Sequence, residues 1–381
     1  MGREEDRMKE LNRFLFFMKF VWPVYRKFVG GMLSKRCNSC FLSENYVKLN
    51  KDGICGECLN FKKGNDILVS EKKRGLMKKE FDKILKSYVG KGGWKYDALV
   101  MFSGGKDSCY MLDKLKKEYP QLKILAFSFD NSFMSPIAVE NIKSSIGKLS
   151  VDHMFFRADE SMMIKMFQYA FLHLNKKGCS GTVDEFDGAL LHDVAVNVAY
   201  QMKIPLVLSG VSEEQIERIL KLDYFEDKKG LENIMTSVVA GINLKKIFSN
   251  DELKLWWDGN GKIKEDIPRR LFPYYAWGYN EDEVLNKVVD LGLLDKNKTN
   301  PILTNSSLIP FMGIVDMCKL GYSSFEPEFA RNVRLGRSDR KKWLYTFEML
   351  EYAAKSGRFI NKSVEDMLVK LGLTKEDVGI I

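Results

Sequence analysis

Val100-Met101-Phe102-Ser103-Gly104-Gly105-Lys106-Asp107-Ser108 is the stretch around which this chain is organised. An apolar run from Ala98 to Phe102 spells a buried strand, and Asp107 to Leu115 carries helical spacing. Strand, glycine turn and helix in that order aim backbone N–H groups and the positive end of a helix dipole at one point. Gly104 and Gly105 let the main chain approach an anion with no Cβ in the way. Ser103 and Ser108 offer hydroxyls, and Lys106 offers a full charge. Asp107 offers a carboxylate for a magnesium ion bound to the same anion. The ligand that suits this set is a polyphosphate.

The Walker loop is excluded, because it places four residues between its first glycine and Gly-Lys-Ser/Thr. Ser103-Gly104-Gly105-Lys106-Asp107-Ser108 instead resembles the PP-loop of the ATP pyrophosphatases. That resemblance implies cleavage of ATP between its α and β phosphates and adenylation of a substrate oxygen. A nitrogen or sulfur nucleophile then displaces AMP. It implies ATP and Mg2+ as ligands, the six loop residues at the nucleotide, and Lys106 and Asp107 as catalytic residues.

Beyond the loop, strand and helix alternate, which predicts a parallel sheet with covered faces. Lys123–Phe129 is the second strand, His153–Phe156 the third and Pro205–Ser209 the fourth. Ligands of such sheets sit outside the carboxyl ends of the strands. Asp130, Asn131, Ser209 and Gly210 are therefore expected to share a crevice with the loop. Asp130 is a candidate ribose or adenine contact, and Ser209-Gly210 a second phosphate contact; ordinary turn chemistry accounts for each as well. The polar loop Lys176–Asp187 carries a lone Cys179, a candidate for the substrate side. His192 falls inside a helical pattern and reads as structural. After residue 245 aromatics gather around Arg269 and Arg270, as Trp256-Trp257 and Pro273–Tyr279. They suit stacking on sugar or base rings, and equally the core of a helical domain.

Upstream, Cys37-Asn38-Ser39-Cys40 and Cys55-Gly56-Glu57-Cys58 are separated by fourteen residues. Two such knuckles supply four thiolates for one tetrahedral ion, a structural Zn2+ in a zinc ribbon, with an iron–sulfur cluster as the alternative. Ser70 to Val89 is an amphipathic linker helix. Residues 1–36 hold a nearly continuous apolar run, Phe14 to Trp22, flanked by Arg13, Arg26, Lys27, Lys35 and Arg36. The run is too short and too interrupted to span a bilayer. Two readings stay open: a helix packed on the protein or on a second copy in a homo-oligomer, and a monotopic anchor on a membrane surface.

At 381 residues the chain has room for two or three domains. Its 45% hydrophobic and 29% charged residues exclude disordered and membrane-spanning classes. A net charge of +9 suits RNA, a phosphosugar or an anionic membrane and selects none of them. Seven cysteines, four of them clustered, fit a reducing compartment with a metal site, and so a cytoplasmic protein, with the inner membrane face as its station if residues 1–36 are an anchor. The expected divisions are residues 1–36, a ribbon at 37–62, a linker helix at 63–93, the nucleotide domain at 94–245, and a mostly helical domain at 246–381.

Taken together, the knuckles, Tyr96-Asp97 before the loop, Gly321-Tyr322, and Arg334-Leu335-Gly336-Arg337-Ser338-Asp339-Arg340 resemble one PP-loop branch. This is the N-acetyl sugar amidotransferases of bacterial surface-polysaccharide biosynthesis, and the likeness covers roughly residues 37–215 and 318–357. It implies an α/β fold: a parallel-sheet, Rossmann-like PP-loop domain (adenine nucleotide α-hydrolase-like) with an N-terminal zinc ribbon and a C-terminal helical region. It also implies an N-acetyl sugar acceptor, nucleotide- or lipid-linked, and a separate glutamine amidotransferase subunit supplying ammonia. Arg334, Arg337 and Arg340 would then stand on the substrate side. The loop around Cys179 departs from the branch, since Asp187 or a neighbour stands where a second cysteine is expected. A PP-loop sulfur transferase acting on tRNA and a non-catalytic nucleotide-binding adaptor are the competing readings.

Overall fold

The computed structural model describes residues 2–61, 71–93, 95–212, 215–216, 222, 224–227, 237–299 and 305–380. The expected start of the linker helix at Ser70 and Glu213-Glu214 after the fourth strand lie outside them. Five strands form one parallel sheet in the order β3-β2-β1-β4-β7. They are β1 (Ala98–Met101), β2 (Ile124–Asp130), β3 (Asp152–Arg157), β4 (Leu206–Leu208) and β7 (Arg269–Leu271), and a small antiparallel hairpin of β5 (Val238–Val239) and β6 (Ile242–Asn243) precedes β7. β1 is the centre: Val100 lies beside Ala126 of β2 on one side and Leu208 of β4 on the other. All four β1 residues are buried, as the unbroken apolar run requires of a strand covered on both faces. The chain runs outward from β1 through β2 to β3, then returns to the far side of β1 as β4. The reversal puts the switch point of the sheet directly after β1, where α/β folds hold their ligands.

By its internal contacts the chain divides into two compact units, Met1–Ile67 with Phe167–Asp184 and Ser307–Ile381, and Leu68–Met166 with Glu185–Ser306. The second unit contains the whole sheet. Its core joins Val100 and Phe102 to Met111, Leu112 and Leu208, and to the linker-helix residues Met77, Phe81 and Leu85. The sheet runs past residue 245, where the sequence suggested a boundary. β7 pairs with β4, Leu271 opposite Leu208, and so Arg269 and Arg270 are strand residues. Their charges are met within the unit: Arg269 donates to Glu226 at 2.7 and 3.0 Å, and Arg270 pairs with Asp227. Tyr274 and Tyr275 are buried in the same core.

The first unit is helical beyond residue 307, with helices Leu308–Leu320, Glu326–Arg334, Arg340–Ser356 and Asn361–Leu371. The N-terminal segment packs on them. A helix Gly2–Phe16 runs into a π-helical turn, Phe17–Val21, and then a short helix, Trp22–Tyr25. Trp22 is fully buried and its indole N–H donates to Glu348 Oε2 at 3.0 Å. Arg36, also buried, lies 3.0 Å from Glu326 and 3.1 Å from Glu351. A buried cation placed between two carboxylates is held firmly, because removing either partner strands a charge away from water. No helix among the described residues is long and apolar enough to cross a membrane.

Candidate active site and metal centre

The loop after β1 is tied into one shape by its own hydroxyls. Ser108 Oγ accepts from Ser103 N at 3.2 Å and donates to Gly105 O at 3.1 Å. The helix Lys106–Glu118 begins immediately after Gly105, so its first N–H groups have no helical acceptor and face outward as an anion site. Lys106 Nζ donates to both Asp107 carboxylate oxygens, at 3.0 and 2.9 Å, and to the Tyr279 hydroxyl at 3.0 Å. Tyr279 in turn donates to Asp107 Oδ1 at 2.8 Å, and Tyr274 donates to Asp107 O at 2.6 Å. Lysine, aspartate and tyrosine thus form a closed charge-assisted network at the mouth of the loop. A polyphosphate arriving there competes for Lys106 with a carboxylate, like for like.

A cavity of about 250 Å³ opens beside this network. Its walls include Ser103, Gly105, Lys106, Asp107 and Ser108 from the loop, Phe127 and Phe129 from β2, and Ser209 and Gly210 after β4. Of the residues expected at the crevice, Asp130 and Asn131 are not on its wall. Asp130 Oδ1 accepts from Ser132 N at 2.9 Å and Oδ2 lies 3.5 Å from Arg157. Asn131 donates to Asp187 at 2.8 Å and accepts from Phe133 N. Both are consumed in shaping the turn after β2, and the preceding phenylalanines face the cavity instead. Gly104 also differs from expectation. It has φ +73°, and a Cβ there would strike Ala138 O and Ile142 Cγ1, both at 2.7 Å, so its freedom serves packing against the helix Pro136–Leu149. Gly105 is the glycine on the cavity wall.

The structure adds residues that spacing alone did not reveal. Tyr279 was one aromatic among many. Asn305 and His192 also line the cavity. His192 is buried, its Nδ1 has no hydrogen-bond partner among the described residues, and burial, reinforced by Arg270, brings its pKa down to about 3. Both effects favour the neutral imidazole. Cys179 does not line the cavity: it belongs to the first unit, fully buried, where its backbone N–H donates to Asp316 at 2.9 Å. Burial holds its thiol far above the ordinary range. Burial likewise pushes Cys109 up to about 12, and its thiol points at Ser145.

The four knuckle cysteines converge in the first unit, all their sulfurs within 4.8 Å of one another. Cys37 and Cys58 sulfurs are 3.8 Å apart, and those of Cys40 and Cys55 are 3.7 Å apart. A tetrahedral ion with metal–sulfur bonds of about 2.3 Å has an edge of about 3.8 Å, so the thiols fit a single ion. A four-iron cluster would spread its thiolates over separate corner metals, farther apart than this. Cys55 N donates to Cys37 Sγ at 3.3 Å, the backbone support such a knuckle uses. The basic motif, read from the sequence as substrate-side, also gathers here. Arg334 pairs with Glu57 at 2.7 Å and bears electrostatically on Cys40 and Cys58, while Arg340 donates to Cys37 O at 2.8 Å. Arg337 sits in the turn joining their two helices. Four thiolates around one dication would carry net negative charge, which the arginines would offset.

No family model matches the chain. Over 134 residues, 32% of the chain, it is 35% identical to an uncharacterized protein of Methanocaldococcus jannaschii; the match spans 43% of that protein, less than half its length. Among solved structures it is similar to the U34-tRNA thiolase of Methanococcus maripaludis with its [4Fe-4S] cluster (15% identity, 82% of this chain and 89% of that one, TM-score 0.34). It is also similar to NMN synthetase from Francisella tularensis (11% identity, 71% and 95%, TM-score 0.36). A third is the NH3-dependent NAD synthetase of Campylobacter jejuni (12% identity, 74% and 96%, TM-score 0.34). These likenesses are loose. What the chain's own fold shows is a parallel α/β sheet with the Ser103–Ser108 loop at its switch point.

Proposed function

We propose that the protein is an ATP-dependent, AMP- and pyrophosphate-forming enzyme of the PP-loop kind, and that it transfers nitrogen to an N-acetyl sugar. The acetamido oxygen of a nucleotide- or lipid-linked sugar attacks the α-phosphorus of ATP, and the α–β bridge breaks to release pyrophosphate. Ammonia from a separate glutamine amidotransferase subunit adds to the activated carbon. The carbon–oxygen bond breaks, AMP departs with the former amide oxygen, and an amidine remains. The observation that carries this reading is the Ser103–Ser108 loop at the switch point, with Lys106 on the cavity wall.

Lys106 and the N–H groups at the start of its helix stabilise charge on the departing pyrophosphate, donors fixed before the reaction begins. Ser103, Ser108, Ser209 and Gly210 hold phosphate oxygens, and Gly105 lets the main chain close on them. Asp107 would hold a magnesium ion, which screens the polyphosphate charge when bound. The four-cysteine centre holds a structural zinc. Nitrogen is proposed over sulfur because Cys109, the cysteine of the second unit, is buried with its thiol on Ser145 and off the cavity wall.

The test supplies ATP, ammonium and UDP-N-acetyl sugars whose acetyl carbonyl carries 18O. Acceptor-dependent pyrophosphate release with the label in AMP is expected, and Lys106→Ala should lower it about a hundredfold or more. Release that requires tRNA and a sulfur donor would assign sulfur transfer instead. No release with any acceptor would leave a nucleotide-binding adaptor, and a parental rate in Lys106→Ala would refute the site.

A further inference from the structure

Within the N-terminal segment the buried and exposed apolar residues separate onto different faces. Phe14 and Trp22 are buried, Phe17 packs on Phe359 at 4.7 Å, and the Tyr25 and Tyr352 hydroxyls meet at 3.1 Å. Phe16, Phe20 and Val24, four residues apart, remain 62, 60 and 62% exposed, and Phe28 beyond them is 81% exposed. The rings of Phe16 and Phe20 are adjacent, with centroids 5.0 Å apart. A four-residue repeat on a 3.6-residue turn drifts by about 40° per step. The wider π turn at Phe17–Val21 rotates the other way and keeps the stripe together.

Asp6 and Glu10 share a groove with Phe16 at the start of the stripe, and beyond them its charge is positive. No aspartate or glutamate occurs from residue 11 to residue 43. Arg26 and Arg36 are spent on Glu348, Glu326 and Glu351, while Arg13, Lys19, Lys27 and Lys35 are exposed, Lys19 over the Phe20 ring and Arg13 in a groove with Phe16. A second copy of the chain is a poor occupant. A two-fold interface sets the same patch against itself, which would bring these cations together while Asp6 and Glu10 of the preceding helix are already engaged by Lys362 and Ser363.

We infer that this face is a monotopic docking surface for an anionic lipid bilayer. The phenylalanines enter the interface and the four cations lie at headgroup level. The packed face holds the segment to its own unit, so docking requires no unfolding. This explains how one short segment can be a packed helix and a surface anchor together.

The experiment is co-sedimentation of the full chain with phosphatidylcholine vesicles and with equimolar phosphatidylcholine–phosphatidylglycerol vesicles. Phe16→Ser/Phe20→Ser/Phe28→Ser and Lys19→Glu/Lys27→Glu are compared, each with thermal melting and light scattering. The parent should bind anionic vesicles at least about tenfold more tightly than neutral ones. Both variants should lose at least about tenfold while melting as the parent does. A parent that pellets with neither vesicle overturns the inference, as does an aromatic variant that pellets like the parent. If that variant melts early, the lysine variant decides alone. A parental dimer that either variant dissociates would assign the face to a second copy and overturn the lipid reading.

Discussion

Gly104 and Gly105 are neighbours with different tasks, and replacing each with alanine separates fold from binding. At Gly104 the added methyl meets two penalties. The backbone, at φ +73°, lies where an L side chain costs about 1–2 kcal/mol. The new Cβ would also stand 2.7 Å from the Ala138 carbonyl oxygen and from Ile142 Cγ1. A backbone atom cannot swing aside, so the helix Pro136–Leu149 must move, an overpacking cost of about 1–3 kcal/mol. The two together give about 2–5 kcal/mol, a large share of the about 5–15 kcal/mol that holds a domain together. At Gly105 φ is ordinary, and the added Cβ would meet the Asn305 amide oxygen at 3.2 Å and Ser103 Oγ at 3.4 Å, both on side chains. Gly105→Ala should therefore stay within about 1 kcal/mol of the parent in urea unfolding. Under the proposed function it should nevertheless weaken ATP binding by calorimetry, because its methyl projects toward the cavity that would take the phosphates. A Gly104→Ala protein as stable as the parent to within about 0.5 kcal/mol would refute this division, as would Gly105→Ala unfolding first.

Other consequences can be measured separately. His192 is held neutral with its pKa down to about 3, so the unfolded chain gains a proton near pH 6.5 that the folded chain refuses. Its contribution is complete above pH 6.5 and is lost as pH falls, at about 1.4 kcal/mol per unit, or about 2 kcal/mol by pH 5. His192→Gln should remove that slope from urea-unfolding curves recorded between pH 7 and 5; an unchanged slope would refute the neutral buried imidazole. Metal analysis should give about one zinc per chain, and Cys55→Ser or strong chelation should remove it and lower the melting temperature of the first unit. Parent protein free of metal would contradict the centre. Tyr279→Phe should lower kcat/KM for pyrophosphate release about tenfold with stability nearly unchanged, since it deletes a hydrogen bond to charged groups; a parental kcat/KM would remove Tyr279 from the site.

The legible parts of the chain were those where local chemistry has only one solution. An apolar run ending in Ser-Gly-Gly-Lys-Asp-Ser can scarcely be anything but strand, anion loop and helix. Four cysteines in two knuckles likewise announce a metal. Partnership across distance was not legible. β7 is three residues long and includes two arginines, so it carries no strand pattern; its place comes from β4 and from Glu226 and Asp227. Arg334 and Arg340 form a basic motif, and its place beside Glu57 and the Cys37 carbonyl has no signal in the sequence. Tyr279 was hidden because aromatics near a site and aromatics in a core look alike along a chain. Asp130 and Asn131 sit at a strand end, where ligands gather, yet their side chains are used up by the turn itself.

Arg36 and Glu351 are 315 residues apart in the chain. At a synthesis rate of about 5–20 residues per second, roughly 15–60 s separate their emergence from the ribosome. Trp22 and the knuckle cysteines are made early, while Glu348, Phe347 and the helix that covers them come near the end. Until then the aromatic segment has no protein wall to lean on, although the four thiols can already close around an ion. A metal bound there would be an early landmark in a unit that is otherwise assembled last. A ribosome stalled before residue 340 would present the segment with both of its apolar faces bare.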